Sequence, residues 1–142
     1  MVRSRRLLLD TNILFDLLDK ARPQSEEAVK VVRRCNGGGD MGVVSSQSLK
    51  DVYYSLCKRT SEGYARRQIG TLMDLLVIAP VSAEECEAAM RSDEPDFEDG
   101  LIRAVAELND ADVILTRDAE AFKGSRVPSM TCREYLQMVG EA

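Results

Sequence analysis

Several short apolar runs in this chain give way, within a residue or two, to polar turn residues, and most of the intervening sequence is patterned as helix. That alternation constrains the fold more than any other feature. Arg5–Leu9 ends on three leucines and is followed by Asp10, Thr11 and Asn12. Residues 41–44 run into Ser45 and Ser46, and Val113–Leu115 runs into Thr116, Arg117 and Asp118. Short strands alternating with helices indicate parallel pairing through helical crossovers, an α/β architecture.

The helices follow from periodicity and end signals. Ile13, Leu14, Leu17 and Leu18 recur at 3–4 spacing and predict the apolar face of a first helix. A second is expected over residues 25–35, closed by three glycines at 37–39 that favour irregular and left-handed backbone. Ser45 or Ser46 can cap a third helix reaching about residue 58, with Leu49, Val52, Tyr53 and Leu56 inward. Further helices are expected over residues 61–76, 83–90 and 96–109, the last with Phe97, Leu101, Ala104, Val105 and Leu108 on one face. Val77–Ala79 reads as a third strand, residues 130–131 as an edge strand, and residues 132–139 as the closing helix. No repeat, linker or low-complexity stretch interrupts the 142 residues, which are expected to form a single domain over 1–142.

Composition then removes whole classes of chemistry. The chain has no histidine, which excludes His-based triads, Cys/His dyads and imidazole zinc sites. Cys35, Cys57, Cys86 and Cys132 lie too far apart in sequence for a zinc or redox motif and are expected to be reduced thiols. The apolar run before Asp10 is too short for a secretory core or a membrane span, so a cytoplasmic protein with no membrane association is expected. The net charge of −5 averages 24 acidic against 19 basic residues. Basic pairs such as Arg33–Arg34, Lys58–Arg59 and Arg66–Arg67 lie mostly in the first half, and acids concentrate from Glu84 to Asp118. That asymmetry allows phosphate contacts beside a carboxylate pocket.

Hydrolysis without histidine points to carboxylates and a metal. In open parallel sheets, ligands gather beyond the carboxyl ends of the strands. Asp10 follows the first strand, Asp51 lies on the helix after the second, Asp96 and Asp99 open a later helix, and Asp118 follows the strand ending at Leu115. Grouped carboxylates repel one another unless a hard cation compensates, and an all-oxygen set suits Mg²⁺ or Mn²⁺. Each acid also has a structural reading. Asp10, Asp96 and Asp118 can cap helices or turns, and Asp99 can pair with Arg103 at i,i+4. Periodicity turns Asp51 away from the apolar face, towards solvent.

The run LLLDTNILFDLL, the segment VVSSQSLKDVYY at 43–54 and the stretch DFEDGLIRAVAELNDADVILTRD at 96–118, in this order and spacing, resemble the motifs of PIN-domain proteins. The likeness covers nearly the whole chain and implies a three-layer PIN-like fold: a central, mostly parallel sheet of four to five short strands flanked by helices. It implies a metal site of Asp10, Asp51, Asp99 and Asp118 with Asp96 near it, and Asn12 and Thr116 as polar neighbours that orient ligands or water. The implied activity is Mg²⁺- or Mn²⁺-dependent hydrolysis of RNA phosphodiesters. Many bacterial members are VapC-type toxins, commonly dimeric and held inactive by an antitoxin protein. The second acid of the family is most often glutamate, whereas this chain has Asp51, one methylene shorter. An aspartate-nucleophile phosphatase is disfavoured because Asn12 stands where a second aspartate is needed. A PIN-like module that binds RNA or protein without cutting is the remaining alternative, and its expected mark is loss of one of the acids.

Overall fold

The computed structural model describes residues 4–118 and 120–141. Five strands, β1 (Arg5–Leu9), β2 (Asp40–Ser45), β3 (Val77–Ala79), β4 (Val113–Leu115) and β5 (Ser129–Met130), form one sheet in the order β3-β2-β1-β4-β5. Every pairing is parallel: Leu7 lies opposite Gly42 on one side and Val113 on the other, Val44 pairs with Ile78, and Leu115 with Met130. The helices are α1 (Thr11–Leu18), α2 (Ser25–Asn36), α3 (Ser46–Arg59), α4 (Glu62–Leu75), α5 (Ala83–Arg91), α6 (Phe97–Leu108) and α7 (Cys132–Met138).

Both sheet faces are buried, as parallel sheets require, and side-chain alternation sorts the core into two layers. Leu7, Leu9, Val44, Val113 and Leu115 point to one side, where Ile13, Leu14, Val31, Val52, Leu72 and Tyr135 from α1, α2, α3, α4 and α7 cover them. Leu8, Val43, Ala79 and Ile114 point to the other, beneath Ile102, Val105 and Ala106 of α6 and Phe122 and Val127 of the following segment. Helix α5 lies against α6. Gly100 permits that approach: a Cβ there would meet Ala89 Cβ, Ala89 O and Ser92 Oγ at 3.0 Å. The result is three layers around a five-stranded parallel sheet. Among the described residues, no helix is long and apolar enough to cross a membrane.

The element boundaries follow local chemistry. Ser45 Oγ accepts the Ser48 N–H at 3.0 Å and opens α3, and Thr131 with Glu134 forms a capping box at α7. Helix α2 ends at Gly37, and the next residue, Gly38, takes φ +83°, a conformation that favours glycine. Strand β2 begins at Asp40, before the apolar run, because that carboxylate is buried and accepts from Arg34 Nε at 2.9 Å and the Tyr135 hydroxyl at 2.7 Å. Strand β5 lies one residue earlier than expected, since Thr131 is used as the α7 cap.

Two expected helix faces are redrawn by packing. In α6, Phe97 and Leu108 are exposed at the helix ends, while Ile102 and Ala106 take inward places, because α6 is squeezed between the sheet and α5. In α1, Leu17 and Leu18 are only partly buried, whereas Asp16 is fully enclosed at 0% exposure.

Candidate active site

Because all strands run the same way, the residues that follow β1, β2 and β4 emerge at one edge of the sheet. The strand order reverses direction beside β1, where β2 lies on one side and β4 on the other, and a crevice opens at such a point. A cleft of about 410 Å³ lies there, lined by Asp10, Asp51, Asp99 and Asp118 and also by Glu98, Asn12, Phe15 and Ser48.

Asp10 is the best-held of the acids. Its backbone N–H continues the sheet by donating to Leu115 O at 2.9 Å. Oδ1 caps α1 by accepting the Thr11 N–H at 2.7 Å, and Oδ2 accepts the Thr116 hydroxyl at 2.8 Å and the Asn12 side-chain amide at 3.4 Å. One side chain thus caps α1 and lines the cleft. Burial raises its pKa; the hydrogen bonds from Thr116 and Thr11 work the other way, and the charge of Asp118 adds to the rise.

Asp118 is placed by a short relay. The Thr116 hydroxyl accepts the Asp118 N–H at 3.0 Å while donating to Asp10, and Asp118 Oδ1 accepts the Glu120 N–H at 2.9 Å. Asn12 Oδ1 accepts the Arg117 N–H at 3.4 Å. Asn12 and Thr116 thus tie the turn after β4 to the end of β1. On the opposite wall, Asp51 keeps 30% of its side-chain surface and stands 3.6 Å from Lys50 Nζ. Periodicity turns it to solvent, and the cleft faces that side of α3, away from the core.

The acids at the start of α6 separate by role. Asp96 is exposed, accepts the Asp99 N–H at 2.8 Å as the helix cap, and does not line the cleft. It acts on the site through its charge, whereas Glu98 and Asp99 line the wall. Asp99 is pushed up to about 6 by burial first, then by the charges of Asp96, Asp10, Asp118 and Glu94. Arg103 does not relieve it: that guanidinium is engaged by Asp93, Glu94 and Glu107.

Two features of the site are absent from the sequence reading. Glu98 is a fifth carboxylate in the cleft, hidden in sequence among Asp96 and Asp99 on the same helical turn. Asp16 is the second. Its oxygens lie 2.9 Å from Arg117 Nε and 3.5 Å from an Arg22 nitrogen, so a buried charge from α1 holds the arginine between Thr116 and Asp118. At the cleft floor, Ser45, Ser48 and Thr11 form a chain of hydroxyls at 3.0 and 2.8 Å.

The donor chemistry suits a hard divalent cation, being all oxygen and rich in uncompensated negative charge. The spacing is looser: among the described residues, no group of three or more acids or cysteines stands close enough to hold an ion directly.

A PIN-domain family model matches residues 6–120, most of the chain, and the protein belongs to the PIN-domain family. It is similar to ribonuclease VapC1 of Aquifex aeolicus, with 26% identity over 141 residues and 96% of each chain covered. Its fold matches Mycobacterium tuberculosis VapC20, a sarcin-ricin-loop-cleaving toxin, with a TM-score of 0.64 and 17% identity over 80% of this chain and 91% of the other. It also matches a chain of a Klebsiella pneumoniae toxin-antitoxin complex, with a TM-score of 0.67 and 24% identity over 89% and 97% of the two chains.

Proposed function

We propose that this protein is a metal-dependent endoribonuclease that hydrolyses RNA phosphodiester bonds, and that it is the toxin of a toxin-antitoxin pair. One observation carries the catalytic part. Asp10, Asp51, Asp99 and Asp118 come from four separate segments to one cleft at the carboxyl edge of the sheet, and no cation among the described residues pairs with Asp99 there. Asp10 and Asp99 would be the principal ligands for Mg²⁺ or Mn²⁺, with Asp118 and Asp51 completing the shell through water. When bound, the ion lowers the pKa of a water and neutralises charge on the phosphate. Thr116 and Asn12 fix the orientation of the Asp10 carboxylate, and Asp51 on the opposite wall would take a proton from the attacking water. The toxin role draws on VapC1 and on the Klebsiella complex, which is solved with an antitoxin. A cognate antitoxin protein, RNA as substrate, a homodimer and a cytoplasmic location belong to the same proposal, as does the reading of residues 1–142 as one domain.

The loose spacing of the acids favours one second reading, a module that binds RNA or protein without cutting. Melting curves in Mn²⁺ separate the two. A ligand at a hundred times its dissociation constant stabilises by about 2.7 kcal/mol, a rise of roughly 5–10 °C for a chain of this size. That rise, lost in Asp10→Asn, supports the enzyme; an unchanged melting temperature in millimolar Mn²⁺ supports the module.

A further inference from the structure

Beyond the cleft, helix α3 carries a stripe of side chains that the metal-site reading leaves unused. Gln47 and Asp51 line the cleft. Tyr54 and Lys58 continue the same helical face at spacings of three and four residues. Tyr54 is 57% exposed, a large aromatic surface left open on a helix whose inward positions are filled by Leu49, Val52 and Leu56. Two ammonium groups lie over its ring: Lys58 Nζ is 4.8 Å and Lys50 Nζ 6.0 Å from the centroid. Lys50 reaches Asp51 at 3.6 Å, so the stripe joins the cleft wall without a break. Among the described residues, Lys58 has no carboxylate partner, in a chain whose net charge is −5. The cleft wall itself shows the same pairing of ring and cation, since Phe15 carries the Arg22 and Arg59 guanidiniums at 5.4 and 5.8 Å.

We propose that this α3 stripe is a binding track for single-stranded RNA leaving the cleft, with Tyr54 stacking an unpaired base and Lys50 and Lys58 contacting the flanking phosphates. The proposal rests on the nuclease reading of the cleft and deepens it by assigning the residues that hold the strand outside the metal site. Four arguments support it. An exposed ring offers a face that any base can stack on, and such stacking is tolerant of sequence. A paired base has no free face, so the track selects unpaired segments, as stacking platforms for single strands do. The helical rise puts Tyr54 about 4.5 Å and Lys58 about 10 Å along the axis from Asp51, within roughly three stacked-base steps of 3.4 Å. The two ammonium groups at the ring supply the positive charge that phosphates on either side of a stacked base require.

The test uses the full chain carrying Asp10→Asn, so that RNA is bound and not cut. Affinity is measured for a labelled single-stranded oligoribonucleotide and for a hairpin duplex of equal length, with and without Tyr54→Ala, Tyr54→Phe, Lys50→Ala and Lys58→Ala. Melting curves check that each variant folds. We expect the single strand to bind at least tenfold tighter than the duplex. Tyr54→Ala should weaken single-strand binding roughly tenfold, and Tyr54→Phe should restore it. Each lysine variant should flatten the salt dependence by about 0.7 in log-log slope. Unchanged affinity in Tyr54→Ala, or equal losses for duplex and single strand, overturns the track. So does a Tyr54→Ala variant that turns a dimer into a monomer in sedimentation with no change in single-strand affinity, because that face would then join two copies of the chain. RNA binding through Tyr54 by a protein that never cuts RNA would uphold the track while refuting the nuclease, and cutting with an indifferent Tyr54 would do the reverse.

Discussion

Asp16→Asn is the substitution whose consequences the structure specifies most fully. The Asp16 side chain is completely enclosed, and neither oxygen accepts a well-directed hydrogen bond from the described residues. Its charge is compensated by Arg117 at 2.9 Å and Arg22 at 3.5 Å. Removing one partner of a buried ion pair typically costs about 3–5 kcal/mol, because the other charge is left uncompensated. Here the two guanidiniums keep 35% and 31% of their side-chain surface, so water recovers part of their solvation. The loss should therefore fall to about 2–3 kcal/mol, a drop in Tm of roughly 6–12 °C for a chain of this size. The damage should also be local to the site, because Arg117 lies between Thr116 and Asp118, which hold the turn against Asp10. Urea unfolding of Asp16→Asn, Arg117→Ala and the double variant measures the coupling directly. The double variant should lose at least 1 kcal/mol less than the two single losses combined. A single loss below about 0.5 kcal/mol, or strict additivity, would refute the reasoning.

Other outcomes follow from the same geometry. The Asp99 carboxyl is raised above its ordinary value to about 6, so the folded state binds more protons than the unfolded state between about pH 4 and 6. Its contribution to stability therefore declines as pH rises through that window. Metal-free Asp99→Asn should be more stable than the parent at pH 7, and a less stable variant in EDTA melts would contradict the assignment. If Asp99 is a ligand as proposed, its deprotonation frees an oxygen donor, so Mn²⁺ affinity by calorimetry should climb as pH passes 6, and an affinity independent of pH would exclude Asp99 from the shell. Asp96→Ala removes the α6 cap and should cost about 1 kcal/mol of stability, with RNA cleavage changed less than threefold in a direct rate measurement. A greater than tenfold rate loss would place Asp96 in the metal shell after all. Gly100→Ala should destabilise by about 1 kcal/mol, since contacts at 3.0 Å to Ala89 and Ser92 outweigh the helix-propensity gain; a higher melting temperature would show that α5 yields.

How far the sequence reveals the fold depends on the reach of each signal. Strands Arg5–Leu9, Val77–Ala79 and Val113–Leu115 are legible to the residue because short apolar runs end at Asp10, Pro80 and Thr116. Strand β2 starts earlier than its apolar run because Asp40 finds Arg34 and Tyr135, and the latter comes from the far end of the chain. Asp16 is illegible for the same reason. An acid inside LFDLL reads as a break in an apolar face, and its partner Arg117 is joined to it only by the β1–β4 pairing. The acids at the start of α6 show where composition alone stops. Asp96, Glu98 and Asp99 sit within one turn, and only the cap geometry decides that Asp96 faces the backbone while its two neighbours face the cleft. Asp51 required both arguments, because helical periodicity describes the core side of α3 and says nothing of a cleft on its other flank.

The most direct test of the central claim is cleavage of an end-labelled RNA by the purified protein in Mn²⁺, in Mg²⁺ and in EDTA, beside Asp10→Asn and Asp99→Asn. The structure predicts discrete cleavage products with either metal, none in EDTA, and a rate loss of at least a hundredfold in both variants while their metal-free folds remain intact. Cleavage that persists in EDTA, or variants that cut as fast as the parent, would contradict a metal-dependent site built on these carboxylates.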